Sequence, residues 1–526
     1  MSYDYKKLQN GSDIRGVAME GVAGESVNLG AEETMRLTKG FVLWLSEKLQ
    51  KNPRDLILSV GHDSRLSAES LKQAILTALQ EVGVTVYDCG LASTPAMFMS
   101  TIFADYRCDG AIMITASHLP FNRNGFKYFD RDGGLNKEDI RHIIDCAQCE
   151  NLDDHFCAGA ANATKSAAEA GVCDGAGSGS VHKKDLIGRY AAHLREKIIA
   201  EVQHPETPDK PLTGLKIVVD AGNGAGGFYA LQILEPLGAD VSASQFLEPD
   251  GHFPHHQPNP ENPEAMRSIS RRVVESGADF GLIFDTDVDR SSAVDKNGRE
   301  ISRNAIVAMA AALIAVEHPG TTVVTDSITS DELTVYLQEC LGLKHLRYKR
   351  GYKNVINKSI KLNQAGIDSQ LAIETSGHAA YKENYFLDDG AYLATKIVIK
   401  AAQLAQKGVS IDVLLEALRE PKEALEVRFP IEGEDFATCG EKVLADLKAW
   451  ASAPEQTTRG FSLVEPNYEG VRLNIRTADT AGWCLLRQSL HDPILPLNVE
   501  VSKGSCENIL NEIKDFLRKY EQIVVR

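Results

Sequence analysis

Three segments of this chain repeat one local pattern, a β-branched apolar run that ends in Gly, Asp or Ser and gives way to helix-compatible sequence. They are DLILSVGHDSR, LKIVVDAGNGAGG and TTVVTDSITS, beginning near positions 55, 215 and 321. Each reads as strand, loop, helix; after the first, SAESLKQAILTALQEVG supplies a clear helical stretch. An α/β unit used three times is therefore expected. At 526 residues the chain exceeds what one hydrophobic core serves, which sets the expectation at three or four domains.

Breaks in the pattern mark the divisions. HPETPDKPLTG, at 204–214, carries prolines that end a preceding helix, and VEHPGTT near 315 and VRFPIEGED near 430 do the same. Four segments result: 1–205, 206–315, 316–430 and 431–526. Within the first, the Ala-, Gly- and Ser-rich stretch from about 158 to 180 has little to bury and reads as a surface insertion.

Charge narrows the function classes. The formal net charge is −17, from 73 acidic against 56 basic residues. Neutralising a nucleic-acid backbone needs a basic face, so nucleic acid is not an expected partner. A small anion remains compatible, provided that a few basic side chains converge in one place. Of the ten cysteines, Cys146 and Cys149 form the one CxxC, in helix-compatible sequence, and are expected to be reduced structural thiols. No apolar run reaches transmembrane length and the chain opens MSYDYKKLQNGSD, without a secretory signal. An intracellular protein is expected, cytoplasmic, or in a plastid stroma if the chain is a processed form; oligomeric state is not legible.

Four strand-to-loop junctions carry the chemistry. In AIMITASHLPFNRNGFKYF, an apolar strand delivers Ser117 to a polar loop, with Lys127 following. A serine hydroxyl is a poor nucleophile unless a base, a metal or prior phosphorylation activates it. In FGLIFDTDVDRS, the strand leads to Asp285, Asp287 and Asp289, with Arg290 directly after. Carboxylates this close repel unless a cation lies among them. Side chains at i and i+2 of an extended strand stand about 6.6 Å apart, so the segment is expected to curl if it is to ligate one ion. All-oxygen ligands favour Mg²⁺. LAIETSGHAAYKENYFLDDG presents Glu374 and Ser376, suited to sugar hydroxyls, and His378, suited to proton transfer. WCLLRQSLHDPILPLNVEV holds Arg487, Ser489 and His491, donors suited to anchoring a phosphate. VVDAGNGAGG and PDGHFPHHQPNPENP lack the spacing of a nucleotide-binding loop and read as structural turns.

In their order and spacing, TASHLPFNRNGFK, DTDVDR, ETSGH and RQSLHDP resemble the α-D-phosphohexomutases, the phosphoglucomutase and phosphomannomutase superfamily. GSDIRG, VGHDSR, VDAGNGAGG and PDGHFPHHQPNP extend the resemblance over nearly the whole chain. It implies four domains around a central cleft: three related mixed α/β domains and a C-terminal α+β domain like the TATA-binding protein. It also implies a hexose mutase working on glucose and/or mannose phosphates through a 1,6-bisphosphate, which serves as activator. By the same resemblance Ser117 is the phosphoserine and a ligand of Mg²⁺ with Asp285, Asp287 and Asp289. Arg15, Lys127 and Arg290 surround the transferring group. Glu374 and Ser376 hold the sugar, His378 assists proton transfer, and Arg487 and Ser489 clamp the other phosphate. The chain departs from the family at Leu490, where Gly is usual, and at His491, where Thr is usual; His491 is a candidate replacement donor. Arg350, in YKRGYK, stands where an apolar residue is usual and is a candidate further phosphate anchor. Phosphoglucosamine mutase uses the same machinery, and a non-catalytic sugar-phosphate-binding paralogue is the alternative that the altered loop motivates.

Overall fold

The computed structural model describes residues 4–156, 179–433, 435–489 and 492–525. The stretch read as an insertion lies outside the described residues apart from its last two positions, and Leu490 and His491 also lie outside them. The chain divides into two compact units, Met1–Ser302 with Ser376–Asp412, and Arg303–Thr375 with Val413–Arg526.

In the first unit, the first α/β segment builds a mixed sheet. Its strands run in the order Gln9–Asn10, Asp13–Val17, Arg123–Asp130, Gly110–Ile114, Ile57–His62, Thr85–Leu91 and Val181–Lys183. Ile57–His62 is central, parallel to both Thr85–Leu91 and Gly110–Ile114, and Gly110–Ile114 turns back antiparallel into Arg123–Asp130. Every residue of Gly110–Ile114 is buried, so this strand reads as a continuous apolar run rather than an alternating one. Helices Ala31–Leu49, Ala68–Glu81 and Lys137–Gln148 share one core with these strands. The CxxC closes the last of them: Cys149 N–H donates to Cys146 O at 3.1 Å, and burial raises the Cys146 thiol to about 11, which fits an inert thiol.

A second sheet of the same unit has the order Glu300–Ile301, Ser291–Asp295, Phe280–Phe284, Ile217–Asp220. Phe280–Phe284 is parallel to Ile217–Asp220 and antiparallel to Ser291–Asp295. Here the helix expected after the loop is short. After Ile217–Asp220 the glycine-rich loop leads only to the six-residue helical segment Tyr229–Leu234, and the regular helix is Pro263–Ser276, opened by Asn262 as N-cap with proline at its first position. Helix Gly390–Ala405, capped by Asp389, also belongs to this unit.

In the second unit, Thr322–Thr325 lies between Lys344–Arg347 and Leu371–Ile373, parallel to both. Helix Asn304–Ala315, NAIVAMAAALIA, is apolar all round and accordingly buried on most of its surface. The C-terminal region forms a five-stranded antiparallel sheet in the order Glu423–Pro430, Ile494–Lys503, Ala481–Leu486, Val471–Arg476, Phe461–Leu463. Helices Phe436–Ala451 and Cys506–Leu517 contribute Val443, Leu447, Ile509 and Ile513 to its core. No helix among the described residues is long and apolar enough to cross a membrane.

Candidate active site

Two strand ends meet in the first unit. Gly110–Ile114 delivers Ser117 and Phe280–Phe284 delivers the aspartates. Ser117 Oγ lies 2.9 Å from Asp285 Oδ2 and 2.8 Å from Arg290 Nη2. The DTDVDR segment curls as the spacing requires: Asp285, Asp287 and Asp289 each offer an oxygen, all within 4.8 Å of one another. The curl holds Val288 at φ +67°, a strained conformation for a β-branched residue. Its carbonyl accepts Gly390 N–H at 3.1 Å, and its own N–H reaches Asp285 O at 3.4 Å.

The triad is buried, and its charge is balanced by cations on every side. Lys127 Nζ lies 3.1 Å from Asp287 Oδ2 and also bonds Asp289. Arg290, itself 2% exposed, donates through Nε to Asp285 at 3.1 Å and through Nη1 to Asn259 at 3.2 Å. Burial and the neighbouring Asp289 charge raise the Asp285 pKa well above the carboxylate range. Burial pushes Asp289 the same way, but Lys127, His378 and Arg290 outweigh it and hold Asp289 low. Asp287 Oδ1 and Asp289 Oδ1 are buried and accept no hydrogen bond among the described residues. A buried anionic oxygen left in that state is costly, and a hard divalent cation is the partner that three carboxylates suit. The residues present therefore fit a metal ion.

Arg15 completes this side, bonding Thr115 O through Nη1 and Asp13 through Nη2 at 2.8 Å. His118, whose Nδ1 accepts from Arg290 Nη2 at 2.6 Å, is lowered to about 3 by burial and by Arg290 and is therefore neutral. His378 enters from the ETSGH loop. Its Nδ1 lies 2.5 Å from Asp388 and 3.9 Å from Asp289. Burial alone would lower its pKa, yet the two carboxylates outweigh burial and hold it at about 9. The loop fits because Gly377 has φ +93° and no side chain: a Cβ there would lie 2.5 Å from Ser291 O. Ser376 is buried beside it.

The chain as a whole has relatives of known class. The sequence matches phosphoglucomutase/phosphomannomutase alpha/beta/alpha domains I, II and III over residues 6–152, 189–298 and 302–421. A phosphomannomutase/phosphoglucomutase of Pseudomonas putida is 30% identical over 88% of this chain and 86% of its own length. The chain belongs to the phosphoglucomutase/phosphomannomutase family. A phosphoglucomutase/phosphomannomutase of Thermococcus kodakarensis is 28% identical over 91% of this chain and 92% of its own. The crystal structure of a phosphoglucomutase/phosphomannomutase family protein from Burkholderia thailandensis superposes with a TM-score of 0.73 at 25% identity, covering 97% of this chain and 96% of the other. The chain is a phosphohexose mutase, an isomerase of the phosphotransfer type, with three α/β/α domains and a further C-terminal sheet domain.

The mutase holds its remaining candidate residues in the second unit. Glu374 Oε1 accepts Gly351 N–H at 2.7 Å, which ties the ETSGH strand end to the YKRGYK loop. Arg350 Nε lies 3.6 Å from Asp326 Oδ2, and Arg350 N–H donates to Glu469 at 3.2 Å. Arg487 is near enough to Arg350 that burial and that like charge together lower its pKa, and its buried Nε has no hydrogen-bond partner among the described residues. Ser489 N–H donates to Ile494 O at 3.1 Å, and Ser489 Oγ accepts Asp492 N–H at 3.2 Å.

Sequence reading of the mutase passed over several residues. Asp388 holds His378; Thr94 donates to Asp287 at 2.5 Å; Asp326 and Glu469 line the arginine pair. Asp326 had a signal, since it ends the apolar run TTVVTD as Asp285 ends FGLIFD. The DAGNGAGG turn proves to brace the metal loop: Ala225 N–H donates to Thr286 O at 2.8 Å, and a Cβ on Gly224 would meet that oxygen at 2.7 Å. Gly224→Ala is expected to cost about 1–3 kcal/mol of stability and to lower turnover by displacing Asp285 and Asp287; thermal denaturation with a turnover assay checks both.

Proposed function

We propose that this mutase interconverts hexose 1-phosphate and hexose 6-phosphate, with glucose and mannose as the hexoses. The phosphoryl group is carried on Ser117, and a 1,6-bisphosphate is both intermediate and activator. The observation that carries the reading is the seat of Ser117 Oγ, 2.8 Å from Arg290 Nη2 and 2.9 Å from Asp285, beside the acid triad. A phosphoryl group moving between two oxygens needs its charge neutralised and its partners held in line.

Arg290, Lys127 and Arg15 supply the fixed positive charge around that oxygen. Asp285, Asp287 and Asp289, with the oxygen of Ser117, would hold a divalent cation, and Mg²⁺ suits their all-oxygen set. When bound, it neutralises charge on the phosphoryl oxygens. Phosphoserine gives its phosphoryl group to the free sugar hydroxyl: the bond from phosphorus to Ser117 Oγ breaks as that to the sugar oxygen forms. The bisphosphate then returns its other phosphoryl group to Ser117. Each transfer also moves a proton from the attacking hydroxyl to the oxygen that phosphorus leaves, from the sugar to Ser117 Oγ in the first and from Ser117 to the freed sugar oxygen in the second. His378, an imidazolium at neutral pH with Nδ1 committed to Asp388, assists by giving a proton to the leaving oxygen and recovering one from the attacking hydroxyl within the same transfer. Glu374 and Ser376 take sugar hydroxyls, and the phosphate not being transferred falls to Arg350, Arg487, Ser489 and His491. Arg350→Ala is expected to raise KM about tenfold while kcat changes little, the mark of an interaction made equally in ground and transition states. Steady-state kinetics with glucose 1-phosphate checks it.

Coupled assays with glucose 1-phosphate, mannose 1-phosphate and glucosamine 1-phosphate, each with Mg²⁺ and catalytic 1,6-bisphosphate, test the proposal. Turnover of the first two is expected. Turnover of glucosamine 1-phosphate alone would move the chain to the phosphoglucosamine mutases, and no turnover of any would favour a non-catalytic sugar-phosphate-binding role.

A further inference from the structure

The VGHDSR turn has no role in the chemistry above, yet Arg65 in it is 2% exposed and aimed at the serine loop. Its Nη1 donates to Pro120 O at 2.8 Å and Arg123 O at 2.9 Å, and its Nη2 to Ser117 O and Leu119 O, both at 2.5 Å. Four carbonyl oxygens of one seven-residue stretch converge on one planar group, a geometry that the arginine fork of fixed N–H donors satisfies in full and a lysine, with three donors on one nitrogen, satisfies only in part.

The loop needs such a hold. Ser117 sits at φ +48°, a left-handed conformation that a side-chain-bearing residue keeps only when its surroundings over-determine it. The preceding peptide is pinned too: Ser117 N–H donates to Thr115 Oγ1 at 2.9 Å. Arg65 is in turn fixed by Asp63, whose Oδ1 accepts Arg65 N–H at 2.9 Å and whose Oδ2 lies 3.6 Å from Arg65 Nε. Asp63 N–H reaches back to Ile114 O at 3.1 Å, the end of the strand that delivers Ser117. The Phe253 ring, 5.6 Å from the guanidinium, covers its face.

We infer that Arg65 is a positioning residue for phosphoryl transfer, which sets Ser117 Oγ against Arg290 and Asp285 by gathering the carbonyls of the 117–123 loop. The inference rests on Ser117 being the phosphoryl carrier. Arg65→Met and Arg65→Lys, assayed with glucose 1-phosphate, Mg²⁺ and catalytic glucose 1,6-bisphosphate, test it alongside thermal denaturation and the phosphate content of Ser117 by mass. Arg65→Met is expected to lose about 100-fold in kcat with KM within about threefold of wild type. Arg65→Lys is expected to recover about tenfold of that loss. A folded Arg65→Met with wild-type kcat overturns the inference, as does a kcat loss in which Arg65→Lys does no better than Arg65→Met. Should Arg65→Met not fold, Thr115→Val removes the acceptor of Ser117 N–H with little change of shape. It is expected to lower kcat about tenfold at constant KM, and unchanged kcat there also overturns the inference. Wild-type enzyme that turns over without ever carrying phosphate on Ser117 defeats the parent reading instead.

Discussion

Ser117→Ala is expected to abolish mutase turnover, by at least about 10⁴-fold, while the protein stays folded. The size follows from the role: without the oxygen there is no carrier, and the remaining groups can bind and polarise a sugar phosphate but cannot exchange its phosphoryl group. The retained stability follows from the local contacts. Ser117 Oγ bonds Asp285 Oδ2, but that oxygen also accepts from Arg290 Nε at 3.1 Å and Arg290 Nη2 at 3.0 Å, so no buried acceptor is stranded. Alanine keeps the Cβ, so the left-handed backbone at position 117 is no more strained than before. A stability change within about 1 kcal/mol is expected, and thermal denaturation beside the turnover assay reads both.

The second large effect concerns the triad. Asp287→Asn is expected to lower kcat about 10²–10³-fold and to raise the Mg²⁺ concentration needed for half-maximal activity. Asp287 is the apt position because its Oδ2 is already committed to Thr94 and Lys127 while its buried Oδ1, like that of Asp289, has no hydrogen-bond partner among the described residues. A readout independent of turnover comes from linkage: a ligand that binds only the folded state stabilises it by about 2.7 kcal/mol at 100 times its Kd. Mg²⁺ is therefore expected to raise the thermal midpoint of wild-type protein and to raise that of Asp287→Asn much less. Equal shifts in the two would remove Asp287 from the metal site.

What could be read in the sequence was whatever is encoded within a few residues. FGLIFDTDVDR contains both the apolar run that makes a buried strand and the acids that curl at its end, and TASH follows AIMIT in the same way. A strand end can be recognised from one segment, so the acids Asp285, Asp287 and Asp289 stand out before any coordinates; a serine at such an end is commonplace, and Ser117 is singled out only by the resemblance that the separated motifs carry together. Partners far apart in the chain could not. Nothing in LDDG signals that Asp388 seats His378, and nothing in DSR signals that Arg65 collects carbonyls more than 50 residues on. The glycine-rich stretch after Ile217–Asp220 reads as a turn, which it is, but its use as a brace for Thr286 depends on a contact across the sheet. The helix expected to follow it is the short segment Tyr229–Leu234.

The central claim is that Ser117 carries the phosphoryl group during turnover. Incubating the enzyme with glucose 1,6-bisphosphate labelled in its phosphates, then locating the label by peptide mass analysis, tests it most directly. The account predicts one labelled phosphate per chain, on Ser117, which unlabelled glucose 1-phosphate removes as it is converted. Sustained turnover with label absent from Ser117, or held on another residue, would contradict it.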